Sequence, residues 1–200
     1  MPPYNRAQTM SRIFDAAVDE FAARGISGAR IDRIAEAADS NKALIYSYFG
    51  NKEELFAQVL QKRLTDLAEA VELRPDAVAD YIGDLFDFMI ANPDVLRLVQ
   101  HETAHFAAGA IPHRAAREAH YSDKVAAVGA AQLGGEIDPE LDPHFVVLGL
   151  IGLVSWFVAA PQITEMVLGK KADAAVQADY RAHLVTMANR MLGIPSSPSP

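Results

Sequence analysis

Apolar residues recur at steps of three and four positions along most of the chain, and this spacing predicts α-helices throughout. In 5–24, for example, Ile13, Ala17 and Phe21 form one apolar line, and Gly25 follows where a helix can end in the left-handed conformation. No segment of the sequence shows the sustained apolar–polar alternation that is typical of a β-strand. The pattern predicts an all-α fold of about nine helices.

Residues 31–49 are predicted to form two short helices joined by a tight turn. Asn41 can cap the second helix with its side-chain oxygen, and Ile45 and Phe49 stand four residues apart, so that both can pack back onto the first helix. The face left outside carries Lys42, Ala43, Tyr46 and Ser47, with Leu44 and Tyr48 at its edges. A short helix that shows a cation, small side chains and phenols, braced on a second helix, suits the DNA major groove.

This segment resembles the helix-turn-helix of the tetracycline-repressor (TetR) family of bacterial transcriptional regulators. The matching positions are Arg12, Ile13, Ala16, Ala17, Phe21, Gly25, Ile34, Ala35, Lys42, Ile45, Tyr46, Phe49, Lys52 and Leu55. Asp39 and Ser40 depart from the family pattern, which usually has glycine and valine there, but aspartate tolerates the left-handed conformation that such a turn needs. The resemblance implies a repressor that a small-molecule effector releases from its DNA operator, with no cofactor or metal. Two-fold symmetry of a homodimer predicts that the operator is near-palindromic.

The geometry of the second helix predicts a role for each outward side chain. Lys42 is expected to contact a phosphate, and the hydroxyls of Tyr46 and Tyr48 are expected to contact the DNA backbone. Lys52 would anchor the flank, and Arg30, near the position where the family usually has threonine, would add a second flanking charge. The side chains expected at the base edges are Ala43, Leu44 and Ser47. Because Leu44 and Tyr48 lie at the edge of the exposed face, a packing role remains an alternative for both.

The charge of the chain is distributed unevenly. The net charge is −8 overall, but 1–63 hold nine Lys and Arg against eight Asp and Glu, a net charge of +1. The remaining residues, 64–200, hold nine Lys and Arg against eighteen Asp and Glu, a net charge of −9. DNA contact is therefore expected to depend on a few placed cations in the first third of the chain rather than on a broad basic surface.

Three regions are predicted along the chain. Residues 1–52 form the DNA-binding domain and 53–193 form a ligand-sensing and dimerisation domain, whereas 194–200 are rich in proline and serine and are expected to be a disordered tail. The chain contains no cysteine, which excludes disulfides and agrees with a cytoplasmic protein. The first ten residues do not resemble a signal peptide, because no apolar stretch follows the basic residues.

Residues 145–160 are apolar almost all round. The run of 16 residues is shorter than the roughly 20 that a membrane span requires, so no membrane association is expected. A helix of this kind must be buried on every side, and a second copy of the protein is the natural cover for the side that its own domain leaves open. The predicted interface residues are Leu148, Ile151, Leu184, Met187 and Met191. A buried core helix of a monomer is the alternative.

The sequence HETAH at 101–105 matches the zinc-protease motif H-E-x-x-H. A zinc-dependent hydrolase is therefore an alternative function, although a third ligand is missing at the expected spacing. A second interpretation places His101 and His105 in an effector cavity of the C-terminal domain. The full set predicted for that cavity is Phe86, Met89, His101, His105, Tyr121, Trp156 and Phe157. Ordinary core or surface histidines are the third interpretation, and a helical interaction protein without a DNA role is the remaining alternative for the whole chain.

Overall fold

The computed structural model describes residues 6–107 and 110–193, and these residues form α-helices and one short 3-10 helix without any β-strand. In chain order the α-helices are α1 (Arg6–Gly28), α2 (Ile31–Ala37), α3 (Lys42–Phe49), α4 (Lys52–Ala70), α5 (Asp80–Ala91), α6 (Pro93–His105), α7 (Arg114–Leu133), α8 (Pro143–Ala159), α9 (Pro161–Leu168) and α10 (Ala174–Met191). The predicted all-α fold is confirmed. The tail predicted at 194–200 lies outside the described residues.

Side-chain caps begin several of the helices, and the cap predicted at Asn41 is among them. Asn41 Oδ1 accepts a hydrogen bond from the Leu44 amide at 3.0 Å at the start of α3. At the start of α4, the Glu54 amide donates to Asn51 Oδ1 at 2.9 Å, and the Asn51 amide donates back to the Glu54 carboxylate at 3.2 Å. Asp173 caps α10 in the same way. These caps satisfy amides that the first helical turn would leave without a partner.

The connection between α4 and α5 passes through Pro75. Helix α4 ends at Ala70, and α5 begins at Asp80. Arg74 is extended, as a residue before proline tends to be, and a 3-10 turn over Pro75–Ala77 takes up the chain before α5. The described residues form ten α-helices, against the prediction of about nine, and the shortest of those after α3 is α9.

The chain divides into two compact units. Over the described residues, the first unit comprises 6–66, 94–107 and 110–114, and the second comprises 67–93 and 115–193. The sequence analysis placed a single boundary after residue 52. In the structure, the first part of α4 and the helical part of 94–107 belong to the same compact unit as α1–α3, because fully buried Phe56 and Leu98 complete the core around those helices.

The second unit is built around α5, which packs against α8 and α10. Its core includes the fully buried side chains of Ile82, Leu150 and Leu184. Within 6–107 and 110–193, no single helix is long and apolar enough to cross a membrane, and α8 and α9 would meet that test only as a pair with an 87° bend between them.

Candidate nucleic-acid interface

Helix α3 presents one face to the core and the other to solvent. Ile45 and Phe49 are buried, and Tyr46 is 49% exposed. The exposed residues are Lys42, Ala43, Tyr46 and Ser47, and the half-buried ones are Leu44 and Tyr48. This distribution matches the predicted inner face, outer face and edges of the helix.

The turn between α2 and α3 is tight. Asp39 has a φ of 44°, the left-handed conformation that the sequence analysis expected at this position. The Ser40 amide donates to the carbonyl of Ala35 at 2.9 Å, which closes the end of α2. The turn therefore survives the replacement of the usual glycine by aspartate and holds α3 at a fixed angle to α2.

Glu20 of α1 supplies the cap that α2 lacks in its own sequence. Its carboxylate accepts a hydrogen bond from the Arg30 amide at 2.9 Å and from Arg33 Nε and Nη2 at 2.8 and 2.5 Å. Burial would raise the pKa of Glu20, but the hydrogen bonds from Arg33 and from the Arg30 amide outweigh that effect and lower the pKa. Arg30 thus contributes its backbone here, and its side chain does not cap α2.

Three cations near α3 already have partners within the first unit. Lys42 forms an ion pair with Asp32 of α2, and the hydrogen bond between them raises the pKa of Lys42. Lys52 Nζ donates to the carbonyl of Ala29 at 3.3 Å, and it ties the start of α4 to the connection between α1 and α2. The Arg6 guanidinium lies 5.0 Å from the centre of the Tyr48 ring. These contacts hold the charges in place beside the exposed face of α3.

The HETAH motif joins α6 to other helices of the first unit. His101 Nε2 lies 3.3 Å from the carbonyl oxygen of Ala22 in α1. His105 lies between Ser27 Oγ, 3.5 Å from its Nδ1, and the Glu53 carboxylate, 3.4 Å from its Nε2. Within 6–107 and 110–193 no three His, Asp or Glu residues come together as metal ligands. The two histidines instead contact α1 and the start of α4.

The residues predicted for the effector cavity are divided between the two units. Phe86 is buried in the second unit, where its ring centre lies 5.3 Å from that of Phe157, and Met89 is buried nearby on the same helix. His101 and His105 make the first-unit contacts described above. Phe157 and the exposed Trp156 line one pocket of about 140 Å³. Its other lining residues are Ile163, Thr164, Val167, Leu168 and Tyr180.

Tyr121, the remaining predicted cavity residue, is partly exposed on α7, one turn before a buried lysine. Lys124 is only 8% exposed, and its Nζ lies 4.7 Å from the centre of the Tyr81 ring and 3.5 Å from the carbonyl oxygen of Val71. Burial lowers the pKa of Lys124. Sequence reasoning missed this lysine, although it shares the inner face of α7 with Val128, four residues further on.

The predicted dimer surface is exposed in part. Leu148 and Met191 are exposed, and Ile151 and Met187 are half-buried. Leu184 is a correction: it has no exposed surface, because it fills the core of its own unit, and it cannot contact a partner directly. The exposed apolar residues of α8 that accompany Leu148 are Phe145 and Trp156, which the prediction did not include.

Sequence comparison identifies the family of both halves. Residues 13–59 match the family described as "Bacterial regulatory proteins, tetR family", and 77–190 match "Tetracyclin repressor-like, C-terminal domain". The chain belongs to the TetR family. The resemblance seen in the helix-turn-helix is thereby confirmed, and it extends to the C-terminal domain.

Two relatives of this TetR-family chain are named transcriptional repressors. It is 45% identical over 161 residues to the HTH-type transcriptional repressor SCO4008 of Streptomyces coelicolor, which covers 80% of this chain and 84% of that protein. It is 32% identical over 105 residues to the HTH-type transcriptional repressor NicS of Pseudomonas putida, covering 49% of this chain and 50% of that one. The TetR-family chain is a DNA-binding transcriptional regulator, and its family and relatives are regulators rather than enzymes.

The fold agrees with that of a solved structure. The TetR-family chain superposes on SCO4942 from Streptomyces coelicolor, described as a transcriptional regulator, with a TM-score of 0.81 and 33% sequence identity. The match covers 94% of this chain and 99% of that one. The predicted fold class is therefore confirmed, and the zinc-hydrolase alternative has no support from the family.

Proposed function

We propose that this protein represses transcription as a homodimer that binds a near-palindromic operator through α3 and is released by a small-molecule effector. The observation that carries the proposal is the exposed face of α3, held rigidly on a buried core by Ile45 and Phe49. Two relatives are named repressors, which supports the sign of regulation.

On this surface Lys42 contacts a phosphate at the start of α3, and Tyr46 and Tyr48 place their hydroxyls on the DNA backbone. Lys52 and Arg30 flank the helix, and Lys52 keeps its bond to the Ala29 carbonyl while its charge faces the DNA. The side chains that reach the base edges are Ala43, Leu44 and Ser47. Small and apolar groups at these positions favour contact with a thymine methyl group.

A second copy of the chain covers the exposed apolar stripe of α8. Phe145, Leu148 and Trp156 are 72, 66 and 61% exposed, and they are spaced three and eight residues apart, so that they lie along one side of the helix. Exposure of apolar surface to water is unfavourable. When the same face of two copies packs together, both copies bury that surface. Ile151 and Met187, which are half-buried, and Met191, which lies next to Gly149 of α8, complete the proposed contact surface.

The effector site is the pocket between α8, α9 and α10 that Trp156 and Phe157 line. The Thr164 hydroxyl donates to the Phe157 carbonyl, and the Tyr180 hydroxyl donates to the Leu153 carbonyl, each at 3.2 Å. Because these polar groups bond within the protein, the pocket offers mainly apolar and aromatic walls. An apolar, flat effector fits such walls best.

The proposal is tested by selecting DNA fragments with the purified protein and measuring their affinity by fluorescence anisotropy. The expected result is a selected set that shares a near-palindromic sequence and binds more tightly than unrelated DNA. Selected fragments that share no sequence, and that bind no better than unrelated DNA, would contradict operator recognition.

A further inference from the structure

The ammonium group of Lys42 is already occupied in the protein alone. Lys42 is the first residue of α3, and its Nζ forms an ion pair with the carboxylate of Asp32, in the first turn of α2. Both side chains are largely solvent-exposed, at 56 and 65%. The carboxylate therefore lies on the cation that the proposed function assigns to a DNA phosphate.

We propose that Asp32 competes with DNA for Lys42, so that binding requires Lys42 to exchange the carboxylate for a phosphate oxygen. The inference rests on the proposed role of α3 in DNA binding. Asp32 then lowers the affinity for DNA. It positions Lys42 in the free protein and weakens the contact of Lys42 with every DNA sequence.

Two physical effects make Asp32 unfavourable in the complex. The ion pair with Lys42 must be broken or weakened, and exposed pairs of this kind contribute modestly to stability. The released carboxylate then lies near a phosphate of the same charge, which adds repulsion at short range. Removing the charge of Asp32 should tighten binding by about two- to fivefold, the size that exposed ion pairs produce.

The gain in affinity on removing the charge of Asp32 should be the same for operator and unrelated DNA. Phosphate contacts fix the position of a protein on DNA and carry no sequence information. The gain in affinity should also shrink as the salt concentration rises, because ions screen both the Lys42–Asp32 ion pair and the repulsion between Asp32 and the phosphate. A purely structural role predicts neither result: an acidic residue in the first turn of α2 also stabilises that helix through its dipole, and its loss would lower stability without tightening binding.

The other acidic residues near this face provide the control. Asp39 is paired with Arg12 at 3.3 Å, and Glu20 is held by Arg33. Glu36 is exposed on α2 and has no ion pair among the described residues. Glu36→Gln and Asp32→Asn each remove one negative charge from α2 by an isosteric change. Glu36→Gln does not affect the ion pair of Lys42.

The experiment compares the wild-type protein with D32N, E36Q, K42A and the double variant D32N/K42A. Anisotropy titrations use a selected operator and an unrelated duplex of equal length, each at low and high salt, and thermal melting reports the stability of each variant. We expect D32N to tighten binding to both duplexes by about two- to fivefold at low salt, and less at high salt. We expect E36Q to change affinity much less. We expect D32N to tighten binding less in the K42A background than in the wild-type background, because only the repulsion between Asp32 and the phosphate remains there.

Two results would overturn the inference while leaving the proposed function intact: equal effects of D32N and E36Q, or a gain in affinity from D32N that is undiminished without Lys42. A different result separates the two claims. If K42A binds the operator as tightly as the wild-type protein, the DNA contact proposed for Lys42 is wrong, and the competition falls with it.

Discussion

At the scale of single residues, Gly25 is a position where the backbone requires glycine. Its φ and ψ are 64° and 177°, a region that is nearly restricted to glycine, and an added Cβ would lie 2.7 Å from His101 Nδ1. Gly25→Ala should therefore lower the free energy of unfolding by about 2 kcal/mol or more, measured by denaturant titration. Gly129→Ala is the control, because Gly129 lies in α7 with open space around it, and a gain of about 0.5–1 kcal/mol is expected there. Equal effects at both positions would contradict this interpretation.

Residue-scale features that depend on near neighbours in sequence were predictable. Asn41, Asn51 and Asp173 cap helices that begin one residue later, and Ile45 and Phe49 face inward because of their spacing. Contacts between residues far apart in the chain were not predictable, since a single sequence does not show which helix faces will meet. The pairing of Glu20 with Arg33 and of Lys42 with Asp32 belongs to this second class. The contact of His101, on α6, with the Ala22 carbonyl of α1 belongs to it as well.

At the scale of helices, the carboxylate of Glu20 joins α1 to the start of α2. Glu20→Gln removes the ion pair with Arg33 and weakens the bond to the Arg30 amide, so the variant should unfold at a lower temperature near neutral pH. Because the pKa of Glu20 is lower in the folded protein than its ordinary value of 4.5, its ionisation stabilises the fold above that pH. This stabilisation disappears as the pH falls through the lowered pKa. Melting temperatures measured across acidic pH should therefore converge for the two proteins, and a constant difference would contradict this role.

Helix α6 shows why the domain boundary could not be read from the sequence. Its apolar periodicity predicts a helix but says nothing about which core receives Leu98. In the structure Leu98 is buried in the first unit, with His101 and His105 bonded to neighbouring helices there. The HETAH motif, which resembles a metal site in sequence, thus serves to attach α6 beside the DNA-binding helices.

At the scale of the whole molecule, the proposed binding to a near-palindromic operator requires two copies of the chain. Leu148→Glu places a charge in the middle of the exposed stripe of α8, and burial of an unpaired charge is costly enough to disfavour association. The variant should sediment as a monomer at concentrations where the wild-type protein is a dimer, and it should bind the operator more weakly. Leu133→Glu is the matched control, because Leu133 is exposed at the end of α7, outside the stripe, and this variant should remain dimeric. A dimeric L148E protein would contradict the proposed interface.

The central claim, that the exposed face of α3 reads DNA, is tested most directly by one anisotropy measurement. The wild-type protein, the double variant K42A/Y46A and the control K171A, which removes an exposed cation from the second unit, are titrated against the selected operator. The account predicts tight, salt-sensitive binding by the wild-type protein and by K171A, and a loss of at least about tenfold for K42A/Y46A, if each lost contact contributes about 1 kcal/mol. Unchanged operator binding by a folded K42A/Y46A protein would contradict the account.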